Sequence, residues 1–277
     1  MLVTGGTSGL GRAMAQALAE GDARVALTGR DPERARAVAR ELPGDVVGLG
    51  MDVRDEGSVQ AGVFEALEHL GGLDALVNNA GIGMRTVNPD FLTQPRPFYT
   101  VAPAAFEDLF ATNVLGYFLV ARAVVPAMVA VGRGKVVNVS INTSTMGRAG
   151  FAPYGPSRAA TDALSQVMAA DLAGTGVDVS LLLPGGATDT GMIPDGTPDH
   201  VRAELLDPAV MGPAVRWLCS SASDGVTGLR VVAREFTRRK REPSVAPSSR
   251  PSGPSLAPKS PTRGRAGRRP REHHQLR

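Results

Sequence analysis

The chain has 277 residues, 43% of them hydrophobic, which is enough for a packed core and excludes a wholly disordered chain. Its net charge of +3 averages two unlike parts: residues 237–277 carry 12 basic and two acidic residues, and the first 236 carry 18 and 25. A lone cysteine, Cys219, excludes an intrachain disulfide framework and a cysteine-based zinc site. No run reads as approaching the roughly 18 apolar residues of a membrane span, and the opening Met1 to Gly6 carries no basic or apolar signal region, so a cytoplasmic protein without membrane association is expected.

In chain order, Leu2 and Val3 make a short strand ahead of a glycine turn and a helix over about 10–20. A strand over 24–28 leads to a helix over 32–42, with Pro32 in its first turn and Asp31 as N-cap. Strand 46–51, helix 57–70 and strand 75–78 continue the alternation. A long helix is predicted over 103–131, a β-branched strand over 135–139, a helix over 154–173 and a strand over 178–183. Short helices near His200 and Pro208 precede a last strand over 230–233. Such alternation builds βαβ units, and right-handed crossovers make a doubly wound, three-layer α/β fold. Only Met1, Leu2 and Val3 precede Thr4, so the first strand should be the shortest inner strand, unless the natural start lies upstream. The chain therefore divides into a domain over 1–236 and a basic tail over 237–277. From Pro243 on, Pro, Ser, Arg and Gly dominate without apolar periodicity, so the tail should be disordered. With few aromatics to stack on bases, it is not expected to read nucleic acid.

Thr4-Gly5-Gly6-Thr7-Ser8-Gly9-Leu10-Gly11 lies where the first strand becomes the first helix. Gly5 permits a tight turn, Gly9 lets backbone N–H groups approach a pyrophosphate, and Gly11 allows close helix–sheet packing, the arrangement of a dinucleotide site. Arg30, at the end of the second strand, stands where such folds read the ribose. Its permanent, planar charge suits the 2′-phosphate of NADP(H); were it merely solvated, Asp31 would favour NAD(H), the alternative cofactor.

The glycine-rich stretch, Asp52-Val53, Asn78-Asn79-Ala80-Gly81, Asn113 ahead of Val-Leu-Gly, and Tyr154 four residues before a basic residue resemble, in order and approximate spacing, the short-chain dehydrogenase/reductase family. The resemblance covers residues 1 to about 236. It implies a seven-stranded, mostly parallel Rossmann sheet, a nicotinamide cofactor, hydride exchange with an alcohol or carbonyl carbon, and a homodimer or homotetramer built through the helices over 103–131 and 154–173. It places Asp52 and Val53 beside adenine, Asn79, Ala80 and Gly81 on the ribose side, and Pro184, Gly185 and Thr188 along the nicotinamide. Thr7, Ser8 and Leu10 join the glycines on the cofactor.

Carbonyl reduction needs a proton donor at oxygen, which a tyrosine can be if a cation lowers its pKa from about 10. Tyr154 and Arg158, at i and i+4, share a helix face. The resemblance makes Tyr154 the acid/base and Arg158 its ribose-holding partner, and gives Asn113 the task of holding a relay water by distorting its helix. Two positions depart from the family pattern. Arg158 stands where the family has lysine, which is not a conservative exchange. The family's substrate-orienting serine position falls on Ile141. Ser140 is named for that role, reaching the substrate only if the strand bends, with Asn142 or Thr143 as substitutes. Met84, Phe91, Phe98, Tyr99 and Met192, from segments 82–103 and 186–198, are expected to line an apolar substrate pocket. His69 and His200 read as isolated and solvated, and no metal site is expected. Besides an enzyme, two other classes remain open: a cofactor-binding protein with weak or no catalysis, and a binding module working through its basic tail.

Overall fold

The computed structural model describes residues 1–239, which fall in one compact unit. The remainder of the basic tail lies outside the described residues, and with it the expectation of disorder. Seven strands, β1 (Leu2–Val3), β2 (Val25–Gly29), β3 (Val46–Gly50), β4 (Ala75–Asn78), β5 (Gly134–Val139), β6 (Val177–Leu183) and β7 (Arg230–Val232), form a sheet in the order β3-β2-β1-β4-β5-β6-β7. All neighbouring pairs are parallel. β1 is the shortest inner strand, as expected. Its two residues pair with both neighbours, Leu2 with Ala26 and Leu76, Val3 with Leu27 and Val77. Adjacent strand residues point to opposite faces, so Val3 and Leu2 enter different cores.

On the Val3 face pack α1 (Gly9–Ala19), through Met14 and Leu18, and α9 (Gly212–Leu218), through Val215 and Leu218. α2 (Pro32–Glu41) adds Val38 and is capped as predicted, the Asp31 carboxylate accepting from Glu33 N and Arg34 N. On the Leu2 face lie α3 (Glu56–Leu70), α5 (Gly116–Val131) and α7 (Tyr154–Asp171), contributing Val63, Val124 and Ala169 among others. This is the doubly wound, three-layer arrangement read from the sequence.

Four features depart from that reading. The long helix over 103–131 is not uniform: α4 (Pro103–Phe110) passes through a π-helical turn, Ala111–Leu115, into α5. Its 29 residues are also long and apolar enough to cross a membrane, contrary to the sequence expectation. Here Tyr117, Val120, Val124 and Met128 pack it inward, while Leu115, Phe118, Val129 and Val131 stay exposed. A short helix, α6 (Thr143–Met146), precedes Tyr154, and α10 (Ala233–Arg239) follows β7, whereas α8 (Asp199–Arg202) is the short helix expected near His200. α10 escaped the sequence reading because its many charges resemble the tail; Ala233 is nonetheless fully buried, and the Phe236 ring lies 5.4 Å from Trp217. His69 is not isolated: its Nε2 lies 3.3 Å from Asp45 Oδ1.

Candidate active site

Strand order reverses between β1 and β4, and the segments leaving their carboxyl ends form a cleft of about 860 Å³. Asn79 ties the two ends together. Its Nδ2 donates to Thr4 O at 3.0 Å and Gly5 O at 3.1 Å, while Thr4 Oγ1 accepts from Asn79 N and Ala80 N. Asn79 thus shapes the turn while lining the cleft. Gly5 has φ +64°, and a Cβ there would sit 2.7 Å from Ala80 Cα; one on Gly11 would sit 2.2 Å from Gly5 O. Both glycines are required by space. Ser8 precedes α1 without capping it through its side chain, so the first-turn N–H groups of the 11-residue helix retain donors for an anion. Gly5, Thr7, Ser8, Gly9, Leu10 and Gly11 all line the cleft, and this bare, donor-rich turn fits the pyrophosphate of a dinucleotide.

At one end of the cleft lie Arg30, Arg34, Asp52, Val53 and Arg54. Arg54 grips the Asp52 carboxylate through Nε and Nη2, at 3.0 and 2.6 Å. These hydrogen bonds hold the Asp52 pKa below the usual carboxylate range. Arg54 also donates to Asp108 at 2.7 Å. Asp31 caps α2 through Oδ1 alone and does not line the cleft, whereas Arg30 and Arg34 do. Among the described residues, no acid pairs with Arg30 or Arg34.

Toward the other end, Tyr154 opens α7 and is partly exposed to the cleft. One turn on, Arg158 is 3% exposed, its Cζ 5.4 Å from the Tyr154 ring centre. Nη1 donates to Tyr117 Oη at 3.0 Å and to Val139 O at 3.1 Å. Gly81 leaves the space that Nη2 occupies: a Cβ there would be 2.4 Å from it. Burial opposes the charge on Arg158, but its interactions with Tyr117 and Tyr154 outweigh that and keep its pKa above the ordinary guanidinium value. Burial pushes the Tyr117 phenol upward. Sequence reasoning missed Tyr117, which is one of several apolar or aromatic residues along α5.

Asn113 is fully buried within the π-helical turn, the distortion that the resemblance implied. Its side chain does not line the cleft. Oδ1 accepts from Ile82 N at 2.9 Å, and Nδ2 donates to Ile82 O and to Ser157 Oγ, bolting the Gly81 wall to α7. Asn113 O accepts from Thr161 Oγ1. Ser140 lies in the wall of the cleft, and its hydroxyl donates to Asp162 of α7, which also pairs with Arg230. Arg230 Nη2 also holds Ile141 O at 2.5 Å. Ile141, Asn142 and Thr145 line the cleft beside Ser140, while Thr143 does not.

Pro184 and Thr188 line the cleft, but Gly185 does not. Its φ of +93° and a prospective Cβ 2.7 Å from Val232 Cγ1 make it a turn glycine packed on β7. Of the expected apolar lining, Met84, Phe91 and Met192 are present. Phe98 and Tyr99 are 74% and 76% exposed and pack edge-to-face on each other outside it. Phe151, unremarked in the sequence, takes their place, with its ring 5.5 Å from Phe91 and 6.4 Å from Tyr154. Arg85 joins the two covering segments, donating to Gly191 O and Ile193 O and pairing with Asp195. Among the described residues no acidic, histidine or cysteine group could hold a metal.

The family profile described as short chain dehydrogenase matches residues 1–200. An L-fucose dehydrogenase of Bos taurus is 29% identical over 272 residues, covering 92% of this chain and 96% of its own. A 3-oxoacyl-[acyl-carrier-protein] reductase of Vibrio cholerae is 30% identical, covering 82% of this chain and 92% of its own. The crystal structure of a 3-ketoacyl-(acyl-carrier-protein) reductase from Brucella melitensis complexed with NADH superposes with a TM-score of 0.73 at 29% identity, over 83% of this chain and 94% of that one. Sheet order, glycine turn and relatives agree: the chain belongs to the short-chain dehydrogenase/reductase family of NAD(P)-dependent oxidoreductases.

Proposed function

We propose that the protein interconverts a carbonyl and an alcohol using NADP(H), with Tyr154 as the acid/base. The observation that carries this reading is a partly exposed phenol in a dinucleotide-shaped cleft, one helical turn from a buried guanidinium that no carboxylate neutralises among the described residues. A bound nicotinamide would supply or accept the hydride. Gly5, Gly9, Gly11 and the α1 N-terminus would hold its pyrophosphate, and Pro184 and Thr188 its nicotinamide side. In reduction, Tyr154 delivers a proton to the carbonyl oxygen. Asn142, whose amide meets no protein partner among the described residues, orients that oxygen in place of serine. Met84, Phe91, Phe151 and Met192 exclude water. Following dinucleotide oxidation over a panel of aldehydes, ketones and 3-oxoacyl thioesters tests the reading; absence of turnover at saturating dinucleotide would refute it.

The choice of NADP(H) rests on Arg30 and Arg34, both lining the cleft without acid partners among the described residues, and on Asp31 lying outside the cleft lining. Arg30→Ala should weaken NADPH binding about 10- to 100-fold, the value of a charged hydrogen bond, and leave NADH binding unchanged. Equal effects on both cofactors, measured by fluorescence titration, would reverse the assignment.

A second reading, a dinucleotide-binding protein with little turnover, is favoured by Arg158 donating to Tyr117 and Val139 and by Ser140 being held by Asp162. The turnover panel decides between the two. For assembly, the exposed apolar side chains Phe106, Leu115, Phe118, Val129 and Val131, with Val167 on α7, favour a self-complementary interface between copies. Sedimentation of the protein should give a dimer or tetramer mass; a monomer at micromolar concentration would discard the interface.

A further inference from the structure

We propose that Tyr117 is a positioning residue for Arg158, the partner that lets an arginine work one turn after Tyr154. The proposal rests on the reading of Tyr154 as acid/base. A guanidinium is a rigid fork: placing one Nη fixes the other. Nη1 is placed by two acceptors, Tyr117 Oη and Val139 O. The Tyr117 hydroxyl donates its own proton to Val139 O at 3.2 Å, which leaves its lone pairs for Nη1. Cζ of the fork lies 5.7 Å from the Tyr117 ring centre and 5.4 Å from that of Tyr154, so the two aromatics confine it. With Nη1 anchored, Nη2 is directed to the bare wall at Gly81, which lines the cleft.

Without Tyr117 Oη that geometry is under-determined. Arg158 Nε is already buried with no partner, so it cannot hold the group. The remaining acceptor, Val139 O, is a single point about which the fork could swing. An ammonium at this position would need no second anchor, because its donors radiate from one atom. Tyr117 and Arg158 therefore form a matched pair. The titratable groups facing them are Tyr154 and each other; no acidic residue pairs with either among the described residues.

The test compares four proteins: wild type, Tyr117→Phe, Arg158→Lys and the double variant. Each is measured for NADPH dissociation by fluorescence, for kcat and KM on the best carbonyl of the panel, and for the pH profile of kcat. Tyr117→Phe should lower kcat about tenfold with less change in KM, and should displace the pH profile. Lysine should be tolerated better in the Tyr117→Phe background than in wild type, so the effects should not add. Additive effects, or a Tyr117→Phe enzyme with wild-type kcat and pH profile, overturn the proposal. If no protein turns over any carbonyl, the acid/base reading fails alone, and coupling in the NADPH dissociation constants still decides the pairing. Should Tyr117→Phe not fold, arginine side-chain NMR of the wild type takes its place. Distinct Nη signals from a guanidinium that does not rotate support the pair, and averaged signals overturn it.

Discussion

Tyr154→Phe should lower kcat for carbonyl reduction by a factor on the order of 10² to 10⁴, the usual contribution of a positioned proton donor, with NADPH binding within about twofold of wild type. The substitution removes one oxygen at the cleft surface. It keeps the ring that packs against Phe151 at 6.4 Å, so the local structure should persist. It also keeps Arg158, whose anchors are Tyr117 and Val139 and not the Tyr154 hydroxyl alone. Turnover by stopped-flow NADPH oxidation, together with dinucleotide titration, separates the steps. A Tyr154→Phe enzyme within a factor of three of wild type would remove Tyr154 from the chemistry. Loss of binding and turnover together would instead mean that the phenol shapes the cleft.

The fold was largely legible because a parallel sheet buried on both faces writes its strands as unbroken apolar runs, spaced by amphipathic helices. Leu76-Val77 and Val136-Val137 need no context to be read as inner strands. The glycine turn was legible for a related reason: each glycine answers a local steric demand, and the demand follows from the strand-to-helix turn itself. The partner of Ser140 was not legible. What its hydroxyl donates to, Asp162, lies 22 residues further on and meets it only through the packing of α7 against β5. Tyr117 was hidden in the same way. Along α5 it reads as one more large core residue, and its role depends on Arg158, 41 positions away. The Phe98–Tyr99 pair shows the opposite failure. Aromatic residues in a long insertion suggest a pocket, yet a 3₁₀ turn at Phe98–Thr100 directs both rings outward, and Phe151 closes the cleft from a different segment.

Gly11→Ala should weaken NADPH binding by about 10- to 100-fold and lower the melting temperature as well, as expected of overpacking by roughly 1–3 kcal/mol. The new methyl would stand 2.2 Å from Gly5 O and 2.4 Å from Asn79 Nδ2. Neither neighbour can easily move. Gly5 O accepts from Asn79, and Gly5 itself is confined, since its own Cα faces Ala80 Cα too closely for a side chain. Asn79 in turn holds Thr4 O, so relief of the clash must pull the end of β1 away from β4. β1 has only two residues in its ladder with which to resist that displacement. The strain therefore passes directly to the turn that faces the pyrophosphate. Gly147→Ala is the contrast: nothing lies within 4 Å of its prospective Cβ, and its φ of −93° is open to alanine, so stability should change by less than about 0.5 kcal/mol. If Gly11→Ala bound NADPH like wild type, the dinucleotide would have to sit elsewhere than at this turn.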